Sequence, residues 1–208
     1  MLERIFLKKR ESLASQVAEN LLRSGGRDLS RVEVWIPTAG AGRRIRSALA
    51  ESGVLSPGFT QPMRALLPNE CRMAERFERE GAWALALGKL DHQFLEPLFS
   101  DAKWDSEGSR LKSGGVLCDL CDLLAEAGWS PSHPRMSEVC GEDSARWDVL
   151  GRIYPCYLAA LEDFGLTDPN EARFAEMANP SRVGEVDRLV IACIPDLPMA
   201  SQRYAEAL

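Results

Sequence analysis

Two short apolar segments constrain the fold of this sequence more than any other feature. VEVWIP, residues 32–37, is rich in β-branched and aromatic residues and ends at a proline, which is typical of a strand. VDRLVIACI, residues 186–194, is the nearly uninterrupted apolar run that a parallel sheet buries on both faces. Helical patterns alternate with these strands, so we predict an α/β fold in which crossover helices join parallel strands.

The beginning of the sequence extends this alternation. RIFL, residues 4–7, is a short strand candidate. The four-residue spacing of Leu13, Val17 and Leu21 then predicts a helix with these side chains on one face. After the strand at residues 32–37, a second helix is predicted over residues 43–51. The order strand, helix, strand, helix within about fifty residues supports the parallel arrangement.

Helical patterns dominate the middle of the sequence, and strand patterns return near its end. We therefore predict an α/β core formed by residues 1–68 and 180–208, with residues 69–179 as a helical insertion.

The sequence stops inside an amphipathic helical pattern. For this reason we expect the chain to be a fragment of a longer protein.

The composition is that of a soluble globular protein, with 45% hydrophobic and 27% charged residues. No apolar run reaches the roughly 18 residues of a membrane span, and no signal peptide is recognisable, which predicts a cytoplasmic protein without a membrane partner. The net charge is −6, yet residues 1–50 hold ten basic and five acidic residues. A surface for anions is therefore expected near the first strands.

Nucleotide binding is the first chemistry that the sequence raises. Gly40 and Gly42 match two glycines of the dinucleotide-binding pattern G-x-G-x-x-G, but Ile45 occupies the third position. A P-loop would need glycines between the first strand and helix, where the sequence has FLKKRESLAS. An α/β nucleotide-binding enzyme domain that uses Gly40 and Gly42 remains the alternative interpretation.

Metal binding and acid–base catalysis have weaker support. Cys118 and Cys121 have C-x-x-C spacing, but they lie on an apolar helical stripe, which favours a place in the core. His92 and His133 are the only histidines, and neither lies in a recognisable catalytic motif. LEDFGLTDPNEA has several carboxylates but indicates a helix end, a turn and a capped new helix. We predict no catalytic residue, no metal site and no cofactor for this chain.

Nucleic-acid backbone binding is the better interpretation of PTAGAGRRIR, residues 37–46. Thr38 offers a hydroxyl, and a turn containing Gly40 and Gly42 would expose N–H groups beside a helix N-terminus. Arg43 and Arg46 share one face of the predicted helix and can bind phosphates. These five residues form the predicted DNA-binding site.

The same pattern resembles the start of superfamily 1 helicases. In those proteins the first strand-to-helix junction is the Walker A loop, and the second is a segment that contacts single-stranded DNA. Within this group, the sequence resembles the B subunit of AddAB-type helicase–nucleases (AddB), whose N-terminal part is a helicase-like domain with degraded motifs. The resemblance covers IPTAGAGRRIRSAL, the helical segment LCDLCDLLAEAGWSP and the final strand. It implies a P-loop-NTPase-like sheet with a helical insertion.

The resemblance also identifies degenerate ATPase positions. Lys8 and Lys9 stand where Walker A would be, without its glycines. Ala192 and Cys193 replace the metal-binding Asp and the catalytic Glu at the end of the last strand, whereas Asp196 matches a later Asp. Without a carboxylate at position 192 the site cannot hold Mg²⁺ in the usual way, and without one at position 193 it has no base to activate water.

An AddB-like chain with these losses implies a non-catalytic role. It would contact single-stranded DNA and serve as a scaffold within a complex for double-strand break repair by homologous recombination. The implied partner is an AddA-like helicase–nuclease subunit, and the nuclease centre would lie beyond residue 208. Neither ATPase nor nuclease activity is expected of this chain.

Overall fold

The computed structural model describes residues 5, 7–8, 11–68, 71–99, 106–133 and 141–208. The chain divides into two compact units. Unit 1 consists of Met1–Leu66 and Pro180–Leu208, and unit 2 is Leu67–Asn179. Lys9 lies outside the described residues, and so do Arg4 and Phe6 of the strand predicted at residues 4–7.

Helices and short strands alternate in unit 1, whereas unit 2 is helical. The elements of unit 1 are α1 (Leu13–Gly25), β1 (Val32–Trp35), α2 (Ala39–Ala50), β2 (Gly58–Thr60), α3 (Pro62–Ala65), β3 (Arg188–Ile191) and α9 (Met199–Ala207). Those of unit 2 are α4 (Arg76–Gly88), α5 (His92–Leu95), α6 (Glu107–Glu126), a 3₁₀ turn (Gly141–Asp143), α7 (Ser144–Glu162) and α8 (Pro169–Ala178).

A three-stranded parallel sheet with the order β2-β1-β3 forms the centre of unit 1. Val34 of β1 pairs with Phe59 of β2 on one side and with Val190 of β3 on the other. This confirms the predicted α/β class with a parallel sheet. β1 is wholly buried. Its one acidic residue, Glu33, accepts a hydrogen bond from the Trp35 indole N–H at 2.9 Å and forms an ion pair with Arg182 at 2.6 Å.

The expectation that the last strand is buried on both faces is wrong. The residues of β3 are half-buried, and Ile191 is exposed. Among the described strands β3 pairs only with β1, so it forms an edge of the sheet.

Helices α1 and α2 pack against each other and supply the apolar core of unit 1 together with β1. Val17 and Leu21 of α1 are buried, as the four-residue spacing predicted, whereas Leu13 is 51% exposed. Gly26, in a left-handed conformation with φ of 71°, follows the last residue of α1.

The core of unit 2 forms where α4, α6 and α7 meet. Trp83 of α4 stacks on Tyr157 of α7, with ring centroids 4.2 Å apart and planes 8° from parallel. Cys118 and Cys121 of α6 lie in this core, which confirms the core interpretation of the C-x-x-C spacing. Within the described parts of the chain, no helix combines the length and apolar character needed to cross a bilayer.

Candidate nucleic-acid interface

The first turn of α2 begins directly after β1, at the carboxyl edge of the sheet. Thr38 is its N-cap: the Thr38 hydroxyl oxygen accepts a hydrogen bond from the Ala41 N–H at 3.2 Å, and the Thr38 carbonyl accepts from the same N–H at 3.0 Å. The N–H groups of Ala39 and Gly40 have no partner among the described residues. A helix N-terminus with free N–H groups favours a bound anion.

The predicted start of this helix, at residue 43, is wrong. α2 begins at Ala39, so Gly40 and Gly42 are helical residues and not parts of a glycine turn. Neither glycine has a positive φ. The Thr38 cap satisfies the N-terminus early, and the small residues that follow offer no steric obstacle to a helix.

Gly42 has a packing role inside α2. It is buried, and a Cβ at this position would lie 2.6 Å from Ile36 Cδ1 and 3.4 Å from Phe59 Cβ. The missing side chain lets α2 approach the sheet closely. Gly42 therefore faces the sheet from the first turn of α2, and its grouping with the predicted DNA-binding residues is wrong.

The three arginines of α2 are exposed but have different surroundings. A guanidinium nitrogen of Arg43 lies 3.9 Å from the position of a Cβ on Gly40, which places this charge beside the first turn. The Arg46 guanidinium stands 5.1 Å from the ring centroid of Phe59, in a cation–π contact. The structure thus brings Thr38, Gly40 and Arg43 together and places Arg46 against β2.

Gln61, which is not among the predicted site residues, belongs to the same edge of the sheet. It follows β2 and donates a hydrogen bond from its side-chain amide to the Pro37 carbonyl, at 3.2 Å. This contact joins the carboxyl ends of β1 and β2 just before α2. A polar residue directly after a strand candidate was the available signal.

The degenerate ATPase positions lie in varied environments. Ala192 is buried, and its N–H donates to the Trp35 carbonyl at 2.9 Å. Cys193 is exposed and adopts a left-handed conformation with φ of 57°, and Asp196 is exposed. Lys8 is exposed and forms an ion pair with Glu11 at 3.5 Å.

Unit 2 contains the most elaborate cluster of charges among the described residues. Arg79 of α4 is almost fully buried and donates two hydrogen bonds to Asp122 of α6, at 2.7 and 3.1 Å. It also lies 3.3 Å from Asp168 and from the hydroxyl oxygen of Tyr157, which in turn donates to Asp168. Asp168 caps α8 by accepting from the Asn170 N–H at 2.7 Å. We call these five residues the Arg79 cluster.

Every charge in the Arg79 cluster has a partner, so removal of one member would leave another charge without compensation. Burial acts to lower the pKa of Arg79, but its hydrogen bonds to Asp122 and the charge of Asp168 raise that pKa overall. Burial acts to raise the pKa of Asp122, but hydrogen bonds from Arg79 and Asn170 lower it overall. Both groups are therefore held in their charged forms.

The cysteines of α6 are poor candidates for metal ligands. Burial raises the pKa of Cys118 to about 12 and also raises that of Cys121, so both thiols are protonated near neutral pH. Among the described residues, no three His, Cys, Asp or Glu side chains are grouped so as to hold a metal ion.

Comparisons with known proteins found no match for this chain among protein-family models, curated proteins or solved structures.

Proposed function

We propose that this chain is the non-catalytic, helicase-like DNA-contact region of an AddB-like recombinational repair protein. The observation that carries the proposal is the exposed first turn of α2, where the Thr38 cap, the free N–H groups of Ala39 and Gly40 and the Arg43 guanidinium lie together. This turn follows a buried parallel strand, which is the setting that the sequence resemblance implies for a single-strand contact.

The geometry of this turn suits a phosphate group. Two backbone N–H groups and the positive end of the helix dipole attract an anion, and a neighbouring guanidinium adds a charge-assisted hydrogen bond. Arg43 has no ion-pair partner among the described residues, so no carboxylate competes for it. None of these groups reads a base edge, which favours contact without sequence preference.

The end of β3 supports a role without ATP hydrolysis. The chain has a buried Ala192 and then Cys193 where the resemblance places the metal-binding and catalytic carboxylates. At the Walker A position, Lys8 forms an ion pair with Glu11. The AddA-like partner, the cytoplasmic location and the role in double-strand break repair rest on the sequence resemblance alone.

Fluorescence anisotropy with a fluorescein-labelled oligo(dT) strand tests the interface. We expect Arg43→Ala to weaken binding and to reduce the salt dependence by roughly 0.7, the slope that corresponds to one phosphate contact on a single strand. Arg23→Ala is the matched control, because Arg23 is an exposed arginine in α1 and should leave the salt slope closer to the wild-type value.

A second variant separates binding from folding. A Cβ on Gly40 meets no atom closer than 3.7 Å, and an acidic side chain in the first turn favours the helix. Gly40→Glu should therefore keep the melting temperature of the wild-type protein and weaken DNA binding, whereas Gly40→Ala should bind DNA almost normally.

An absence of DNA binding at low salt, or equal salt slopes for all variants, would reject the interface. The nucleotide-binding alternative would be supported if ATP or NAD raises the melting temperature of the wild-type protein and Gly40→Glu abolishes this rise.

A further inference from the structure

A cavity of about 310 Å³ opens at the carboxyl ends of β1 and β3 in unit 1. The cavity is lined by Leu13 and Val17 of α1, by Ala41 and Arg44 of α2, and by Cys193, which lies beyond β3 in the sequence. In open parallel sheets, ligands bind in the crevice outside the carboxyl ends of the strands. The volume lies at the lower end of the range of small-molecule sites.

The residues that line the cavity differ in polarity. Most of the described residues that line the cavity are apolar, and Arg44 is the one charged side chain among them. Arg44 has no hydrogen bond or ion pair with any described residue. A largely apolar site with a single cation selects a ligand with an apolar body and one negative group, which the guanidinium can bind in bidentate fashion.

The exposure of Leu13, one of the residues that line the cavity, shows where a ligand could bury apolar surface. The other apolar residues on its face of α1, Val17 and Leu21, are buried, yet about half of Leu13 faces solvent beside the cavity. A ligand body seated in the cavity would cover this surface and gain the hydrophobic contribution of removing it from water.

We propose that this cavity is a binding site for a small organic anion with an apolar body, held by Arg44. The site goes beyond the proposed DNA contact, because it uses a different arginine and an apolar cavity in place of the exposed first turn of α2. Octanoate is a suitable probe, since it combines one carboxylate with an alkyl chain.

Protection of Cys193 from N-ethylmaleimide, read by peptide mass spectrometry, measures occupancy at the site itself. Octanoate should slow the alkylation of Cys193 in a saturable way. It should not change the alkylation of Cys71, an exposed thiol in unit 2 that serves as the internal reference. Octan-1-ol, which lacks the charge, should protect at least about tenfold more weakly if the carboxylate binds Arg44.

Two variants complete the test. Arg44→Gln removes the cation from an exposed position and should weaken octanoate protection by about tenfold or more, while octan-1-ol protection stays the same. Arg23→Gln removes a matched exposed charge outside the cavity and should leave octanoate protection unchanged. The proposal is overturned if octanoate gives no saturable protection up to its solubility limit. Equal octanoate protection in Arg44→Gln and the wild-type protein would also overturn it.

Neither result depends on the DNA contact. Loss of the oligo(dT) interaction in Arg43→Ala with normal octanoate protection would support both sites as separate features. Octanoate protection in a protein that binds no DNA would support the cavity alone.

Discussion

The arginines of α2 and the buried arginine of unit 2 use the same side chain in opposite ways. Arg79 has two carboxylates and a phenol within hydrogen-bond or ion-pair distance. Arg43 and Arg44 are exposed, and neither has an ion-pair partner among the described residues. A buried charge is tolerated because its partners are present in the protein, whereas an exposed charge without such partners is available to a ligand.

The largest expected effect separates the two kinds of arginine by stability. Arg79→Ala leaves Asp122 and Asp168 without their cation, so we expect the free energy of unfolding to fall by about 3–5 kcal/mol. Arg43→Ala and Arg44→Ala should change it by less than roughly 0.5 kcal/mol. Urea denaturation followed by circular dichroism measures all three. Similar losses of unfolding free energy in Arg79→Ala and Arg44→Ala would contradict the difference between the buried and the exposed arginines.

An intermediate effect concerns the close approach of α6 to α4, on which the pairing of Arg79 with Asp122 depends. A Cβ on Gly114 would lie 2.7 Å from the Glu80 carbonyl oxygen and 3.1 Å from Trp83 Cβ. Since that backbone cannot move freely, Gly114→Ala should lower the free energy of unfolding by about 1–3 kcal/mol.

The neighbouring Gly115 provides the matched control. The atom nearest to a Cβ on Gly115 would lie 3.5 Å away, which is an ordinary van der Waals distance. Gly115→Ala should therefore raise the free energy of unfolding by up to about 1 kcal/mol through helix propensity. Thermal denaturation of both variants gives the sign of each change in stability. A stabilised Gly114→Ala protein would contradict the close packing of α6 against α4.

The smallest expected effect is the acid sensitivity of the Arg79 cluster. The pKa of Asp122 is lowered by folding, so its contribution to stability is present above the unfolded value of about 3.9 and is lost as the pH falls through the folded value. Asp122→Asn should therefore show a shallower loss of stability on acidification than the wild-type protein. Asp148→Asn, at an exposed position in unit 2, is the control and should retain the wild-type slope. Equal slopes for all three proteins would argue against the pairing.

Local patterns predicted the parts of the fold that depend on neighbouring residues. The strand at VEVWIP and the capped helix after Thr167 could both be predicted, because composition and N-cap chemistry are local signals. The capped helix is confirmed, since Asp168 accepts hydrogen bonds from the Asn170 and Glu171 N–H groups.

Features that depend on distant residues could not be predicted in this way. The role of Gly42 depends on Phe59 of β2, and the Arg79 cluster joins residues of four helices or their caps. Small residues in a row indicate a turn as readily as a helix, so the early start of α2 was missed. The cavity beside Arg44 depends on α1, α2 and the end of β3 together.

The register of the sheet also has a consequence for how the chain reaches this structure. Val32 of β1 pairs with Arg188 of β3, and the whole of unit 2 lies between them in the sequence. Contacts between residues so distant in sequence form slowly, because the intervening chain must be closed into a loop. During synthesis the residues of unit 2 emerge before β3 exists, so the helices of unit 2 can pack while β1 still has an open edge. The sheet that presents the Arg43 turn is therefore expected to be completed last.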